Sequence, residues 1–343
     1  MRVDYLGRER DKLQCVDKKQ SPDVPIAPDD PMKLVFCGTP QFAVPTLQKL
    51  VETFTVRLVI TQPDRPKGRR LDLVASPVKQ TAEKAGLPIY QPEKIKSNEE
   101  LRAKLEDTNP DAIIVVGYGR IIPKWMLDLP KFGNINLHAS LLPKYRGAAP
   151  IQWAIANGES VTGVTTMRID EGLDTGDIFL ARELSISQDA TTETLSPKLA
   201  AIGADLMIET LQGLGSGAVE PRKQGNSQAT LAPILKKEDG RIDFSRAAQE
   251  IYNRFRGFLP WPGAFTTFRG RGLNVTAMKP ASEKTPPAQL LVRGSQVFVG
   301  CGNGSATELL ELQPEGKKRM AAKDFVHGYR PTTGEMLGGS DRI

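Results

Sequence analysis

Ala112-Ile113-Ile114-Val115-Val116 runs without a single polar side chain, which is too short for a stable helix and too uniformly apolar for a strand with one wet face. Such a run fits the middle of a sheet covered by helices on both sides. Leu34 to Cys37 and Arg57 to Thr61 read as further strands, and Val44, Leu47, Leu50 and Val51 recur at helical spacing between them. Strands that alternate with helices build βαβ units, so a mostly parallel, Rossmann-like α/β sheet is expected. Asn98, followed by Glu99 and Glu100, is placed to cap a helix that carries Leu101 and Leu105. Strands near Gly163–Ile169 and Asp177–Ile186 precede an amphipathic helix from Thr191 to Leu214, which the glycines between Gly213 and Gly217 should end.

At 343 residues the chain is long enough for two domains. Periodicity disappears among Pro221, Gly225, Asn226 and Pro233, which places a linker over 215–236 between a first domain, 32–214, and a second, 237–343. The second opens with a helix over Ala247–Phe258. It continues between Phe265 and Leu312 in short β-rich pieces separated by Gly and Pro turns, as in a small OB-like β-barrel. Residues 1–31 carry mixed charge and several prolines with no apolar stretch, so they are expected to be a disordered extension or to precede a start at Met32.

No apolar run approaches the roughly 20 residues of a membrane-spanning helix. Cys15, Cys37 and Cys301 stand apart from one another, which suits a reducing, cytoplasmic setting. With His138 and His327 as the two histidines and no paired cysteines, no metal site is expected. The net charge is +7 from Gly215 onward and −1 before it. A basic second domain either marks a polyanion partner or merely keeps a small domain soluble.

The candidate chemistry lies between Asn134 and Asp177. Ile135 to Leu137 alternate apolar and polar, so Asn136 and His138 project from one strand face, and Pro143 ends the strand and leaves the loop's backbone open to a ligand. Further on, Gly172-Leu173-Asp174-Thr175-Gly176-Asp177 sets carboxylates among glycines that let a loop turn tightly. An amide, an imidazole and a carboxylate, with no serine or cysteine nucleophile beside them, fit transfer of an acyl group to an amine. Asn136 can donate to the oxyanion; His138 can donate to the same oxygen or move a proton; a carboxylate can orient the ring. Taken singly, His138 reads more readily as a core histidine, Asn134 or Asn136 could serve a turn, and composition does not choose among Asp170, Glu171, Asp174 and Asp177. The turn Gly38-Thr39-Pro40 lacks Gly-x-Gly-x-x-Gly, which speaks against a nicotinamide cofactor.

The full string Asn134 to Trp153, with Tyr145-Arg146-Gly147-Ala148-Ala149-Pro150 at its heart, closely resembles the formyltransferase family, and within it the enzymes that act on methionyl-tRNA. Phe36–Pro40, Thr61–Pro66, Ala229–Pro233 and Pro260–Gly263 extend the likeness over nearly everything from Met32 to the C-terminus. The resemblance implies that Asn136, His138 and Asp174 are catalytic and that Ser140, Leu141, Leu142 and Pro143 form a folate-binding loop. It implies 10-formyltetrahydrofolate as a donor consumed as co-substrate. It also implies methionyl initiator tRNA as acceptor, held by Arg65, Lys67, Arg69 and Arg70 of a basic loop and by Arg254 and Arg256 of the second domain, where Arg246, Arg269, Arg271 and Lys279 add charge. Pro260–Gly263 reads as a rigid packing corner and His327 as structural. Nothing demands more than a monomer. Two rivals stay open: a formyltransferase for a small amine such as glycinamide ribonucleotide or an amino sugar, and a non-catalytic RNA-binding protein that keeps the fold.

Overall fold

The computed structural model describes residues 32–67 and 72–338. The first domain runs β1 (Lys33–Gly38), α1 (Val44–Thr53), β2 (Thr55–Ile60), a hairpin of β3 (Arg65–Lys67) and β4 (Asp72–Val74), α2 (Pro77–Lys84), β5 (Ile89–Tyr90) and α3 (Glu99–Thr108). It continues with β6 (Ala112–Val116), α4 (Lys124–Leu127), β7 (Asn134–His138), α5 (Pro150–Ala156), β8 (Val161–Arg168), β9 (Ile178–Ser185) and α6 (Thr192–Ser216). Its main sheet has the order β5-β2-β1-β6-β7-β8-β9, parallel from β5 to β7 and antiparallel beyond.

β6 is the middle strand, and all its residues are buried. Ile114 and Val116 join the core beneath α1 and α6, while Ile113 and Val115 pack on the other face with Leu101 and Leu105 of α3. The Asn98 side chain accepts from Leu101 N at 2.8 Å, so the expected cap is present. α6 starts at its Thr191 cap and runs on to Ser216, two residues past the expected end. The chain turns at Gly217, with φ +74°, and Ala218 and Val219 donate back to Gly213 O. Gly213 makes this possible, because a Cβ there would lie 2.3 Å from the Val219 side chain.

The second domain contains α7 (Ala248–Gly257), β10 (Ala264–Phe268), β11 (Arg271–Ala281), β12 (Leu290–Arg293), β13 (Gln296–Gly300), β14 (Ala306–Pro314), β15 (Met320–Ala321) and α8 (Ala322–Tyr329). Its antiparallel sheet has the order β10-β11-β14-β13-β12, with β15 added to β14. Met336 bridges Gln289, next to β12, and Leu337 bridges Phe268 of β10, so the chain after α8 links the two outer strands and curls the sheet. Leu273, Val275, Val297, Leu309 and Phe325 fill the interior.

The domains meet where α5 crosses α7. Gly257 lets the helices touch, since a Cβ there would lie 2.6 Å from Gln152 O. Arg254 lies over the rings of Trp153 and Phe258, 5.6 and 4.8 Å from their centroids. Arg256 donates to Ala190 O at 2.6 Å and to Asn253 Oδ1 at 2.7 Å and is only 5% exposed. Burial disfavours the charged form of both guanidiniums. Of the two arginines expected to grip tRNA, Arg256 is enclosed and Arg254 is half-buried, and both pack in the seam between domains. Period-3.6 spacing on an amphipathic helix does not say whether a long cation faces water or a second domain.

Candidate active site

β7 shows the period-2 logic of a strand between two layers. Leu137 points to α6 and packs where Gly203 lacks a side chain, contributing about 1.5–3 kcal/mol if burial is complete. Asn136 and His138 lie on the opposite side with Asn134. Asn134 donates to Met126 O at 2.8 Å and is 1% exposed, which makes it a structural residue. Asn136 is partly exposed, and its amide forms no hydrogen bond with another described residue.

His138 is buried, and its two nitrogens meet different partners. Nε2 lies 2.9 Å from Tyr145 O, and because a carbonyl can only accept, Nε2 carries a hydrogen. Nδ1 faces Asp174 Oδ2 at 3.7 Å, beyond a hydrogen bond but within reach of an ion pair once the ring gains a proton. The same Oδ2 accepts from Gly147 N at 2.8 Å. One carboxylate thus joins the strand-end histidine to the Tyr145-Arg146-Gly147 loop.

Two of these residues sit in left-handed backbone, Tyr145 with φ +61° and Asp174 with φ +51°. Side-chain-bearing residues adopt this region at a cost of order 1–3 kcal/mol, and such strain gathers at functional sites. Gly147 has φ +126°, and a Cβ there would be 2.6 Å from Ala232 O, so only glycine fits. The neighbouring acids have other tasks. Asp170 accepts from Gly172 N and from Thr175 Oγ1 inside its own turn, and Glu171 faces Lys124 at 3.6 Å. Asp174 is the acid of this loop that reaches His138.

Ser140, Leu141, Leu142 and Pro143 follow directly. Ser140 is fully buried and donates to Lys144 O at 2.6 Å. Thr165 of β8 donates to Ser140 O at 2.7 Å, and its hydroxyl accepts from Leu142 N at 3.2 Å. The expectation that this loop's backbone is open to a ligand is therefore corrected for those two groups. Thr165 takes them because β8 pairs beside β7 and brings His138 opposite Thr165. Leu142 is buried and Leu141 and Pro143 are partly so.

At the adjacent end of β6, Tyr118 O accepts from Gln62 Nε2 at 2.8 Å, and the buried Tyr118 hydroxyl and Arg120 Nε have no partner among the described residues. Burial raises the Tyr118 phenol above the usual tyrosine range. Arg65 is exposed on the β3–β4 hairpin, Lys67 ends β3, and Arg69 and Arg70 lie outside the described residues.

Several residues of the site carried no signal of their own in the sequence. Thr230 accepts from Tyr145 N at 2.8 Å, and the Tyr145 hydroxyl donates to Glu159 at 2.8 Å. Burial pushes that phenol up to about 12. Arg146 is buried against Gln224 and Asn226. Leu231, inside the Ala229–Pro233 string that carries part of the family resemblance, pairs with Arg146 in parallel.

In the second domain Arg246, Arg269 and Lys279 are paired with Asp243, Glu335 and Glu308 at 3.3, 2.7 and 3.0 Å, while Arg271 is exposed. Trp261, expected in a packing corner, is 55% exposed, and His327 is exposed in the last turn of α8.

A family described as "Formyl transferase" matches residues 32–211, and "Formyl transferase, C-terminal domain" matches residues 234–330. The chain is 60% identical over 308 residues to a protein of Koribacter versatilis (strain Ellin345) named methionyl-tRNA formyltransferase, covering 90% of this chain and 99% of that one. It is 62% identical over 310 residues to one of the same name from Acidobacterium capsulatum, covering 90% and 100%. Among solved structures, the sugar 3N-formyl transferase WlaRD, in the presence of dTDP and 5-N-formyl-THF, shares the fold at 19% identity. Its TM-score is 0.62, with coverage of 84% of this chain and 99% of that one. An N-formyltransferase from Helicobacter canadensis, complexed with folinic acid and dTDP-3-aminofucose, does so at 18% identity and a TM-score of 0.59, with coverage of 82% and 99%. With both of its domains matched and its relatives covered almost end to end, the chain belongs to the formyl transferase family.

Proposed function

We propose that this chain transfers the formyl group of 10-formyltetrahydrofolate to the α-amine of methionine on initiator tRNA. The observation that carries this reading is the identity of 60% and 62% to relatives named for that reaction, over 99% and 100% of their lengths. The family's donor fits the residues present. Leu141, partly exposed beside buried Leu142, offers apolar surface to a flat pterin, while the Tyr118 hydroxyl and Arg120 Nε are buried polar groups with no partner among the described residues. Ser140 and Pro143 shape that loop. The donor supplies an acyl carbon already bonded to nitrogen and hydrogen.

The amine attacks directly, with no covalent enzyme intermediate. Asn136 donates its amide N–H to the formyl oxygen as charge develops there. His138 receives the proton of the attacking amine at Nδ1, because Nε2 is already protonated against Tyr145 O. Asp174, 3.7 Å away, stabilises the resulting imidazolium. As the tetrahedral adduct collapses, the bond between the formyl carbon and N10 of the donor breaks and N10 takes the proton back from His138, releasing tetrahydrofolate. Arg65, Lys67, Arg69 and Arg70 contact the acceptor end of the tRNA. We also place the domain boundaries at 214 and 237 and read the chain as a cytoplasmic monomer; among the described residues no helix is long and apolar enough to cross a membrane.

The test supplies the purified chain with 10-formyltetrahydrofolate and offers methionyl initiator tRNA, glycinamide ribonucleotide and an amino sugar nucleotide in parallel. Formylation of the tRNA is expected to exceed that of either small amine. Preference for a small amine would overturn the acceptor assignment, and RNA binding without formyl transfer would overturn the enzyme.

A further inference from the structure

The segment expected to be a linker is stitched to both loops of the active site. Arg222 and Ile178 exchange backbone hydrogen bonds of 2.8 Å, and Arg146 does the same with Thr230 and Ala232 at 2.8 and 2.7 Å. Between these ties stands Gln224. Its amide donates to Asp174 O at 2.9 Å and to Gly176 O at 2.6 Å, and its Oε1 accepts from Arg146 Nε and Nη2 at 3.1 and 2.8 Å. Arg146 also donates to Asn226 at 3.1 Å and is buried.

We propose that Gln224 is a positioning residue for formyl transfer, a latch that holds the Asp174 loop at its working distance from His138; this rests on the function proposed above. The loop needs such a latch. Leu173 is 63% exposed, so little apolar packing holds the loop, and Asp174 is in left-handed backbone with its carboxylate 3.7 Å from the imidazole. The Asp170–Thr175 bonds tie the loop to itself and leave its placement against His138 open. Among the described residues, Gln224 alone bonds both the backbone of that loop and the side chain of Arg146, whose own backbone adjoins Tyr145 O and Gly147 N, the groups that hold His138 and Asp174. Errors of about 1 Å in such placement cost about 10²-fold in rate.

Gln224→Glu separates the parts of the latch. It keeps acceptors for Arg146 and turns the amide donor towards two carbonyls into a carboxylate. In this variant kcat should fall about 10–100-fold with each KM within about threefold of the parent. In an Asp174→Asn background the same change should cost less than about threefold, because the group being positioned is already disabled. Gln224→Leu, measured beside it, should behave alike. Equal losses in both backgrounds, or an unchanged kcat, would overturn the latch. Hydrogen exchange gives a readout independent of substrate: the Arg168 and Ile178 amides, bonded to Asp177 O and Arg222 O where the loop meets the Gln224 segment, should exchange at least about tenfold faster in Gln224→Glu at an unchanged melting temperature. Unchanged exchange would overturn the proposal even if the parent proved inactive on methionyl-tRNA, an outcome that by itself sinks only the choice of acceptor.

Discussion

His138 and Arg256 are almost equally buried, at 6% and 5% exposure, yet they serve opposite ends. Arg256 is held by the Ala190 carbonyl just before α6 and by the amide oxygen of Asn253 on α7, groups whose charge does not change. His138 has one nitrogen fixed by a carbonyl and the other facing a carboxylate just beyond hydrogen-bond range. A proton arriving on that nitrogen changes the interaction with Asp174 at once. Burial therefore does not separate catalysis from architecture; the kind of partner does.

Four substitutions can break or sharpen this contrast. His138→Ala should lower kcat about 10²–10⁴-fold while the melting temperature stays within a few degrees, and near-normal turnover would remove His138 from the chemistry. Arg256→Ala should do the reverse. It leaves Ala190 O buried without its donor, so denaturant unfolding should register a loss of roughly 2 kcal/mol, while kcat of the folded protein changes less than about threefold. A stable Arg256→Ala protein with weakened tRNA binding would instead support the phosphate contact expected of Arg256.

Arg65→Ala touches neither centre. Its expected effect is a slope of log affinity against log salt shallower by about one, with kcat unchanged, as measured by tRNA binding from low to moderate salt. An unaltered slope would take the hairpin's Arg65 off the tRNA.

The smallest effect concerns Tyr145. Its folded-state pKa is pushed up to about 12 from the ordinary 10, mainly by burial. The folded chain therefore holds this proton more tightly than the unfolded chain. The stabilisation is complete below pH 10 and is lost as the pH rises from about 10 to about 12. Tyr145→Phe should make the melting temperature fall less steeply across that window. An equally steep fall would assign the alkaline sensitivity to other groups, such as the buried phenol of Tyr118.

Much of the first domain was legible in the residues themselves. The apolar run of β6 predicted a doubly covered strand, and Asn98 predicted a cap that the hydrogen bond to Leu101 N supplies. Asn136 and His138 share a face because two residues along a strand always do. The seam and the site loops were not legible in this way. Arg256 and Arg271 look alike as letters, but one is enclosed against the first domain and the other faces water. Thr165 satisfies the Ser140 loop only because β8 runs antiparallel beside β7.

From the order of amino acids alone came the layered α/β domain, the strand that presents an amide and an imidazole together, and the family likeness. Local periodicity and capping act over a few residues, so they survive without knowledge of the fold. The tertiary structure alone decided which of four acids faces His138, which nitrogen of the ring bears hydrogen, and that an aperiodic stretch near Gln224 straps the active site. The carboxylate and the strap depend on groups 27 to 80 positions apart meeting within hydrogen-bond distance, and the ring nitrogen on a carbonyl seven positions away that only the turn of the following loop brings back, so no local rule connects them.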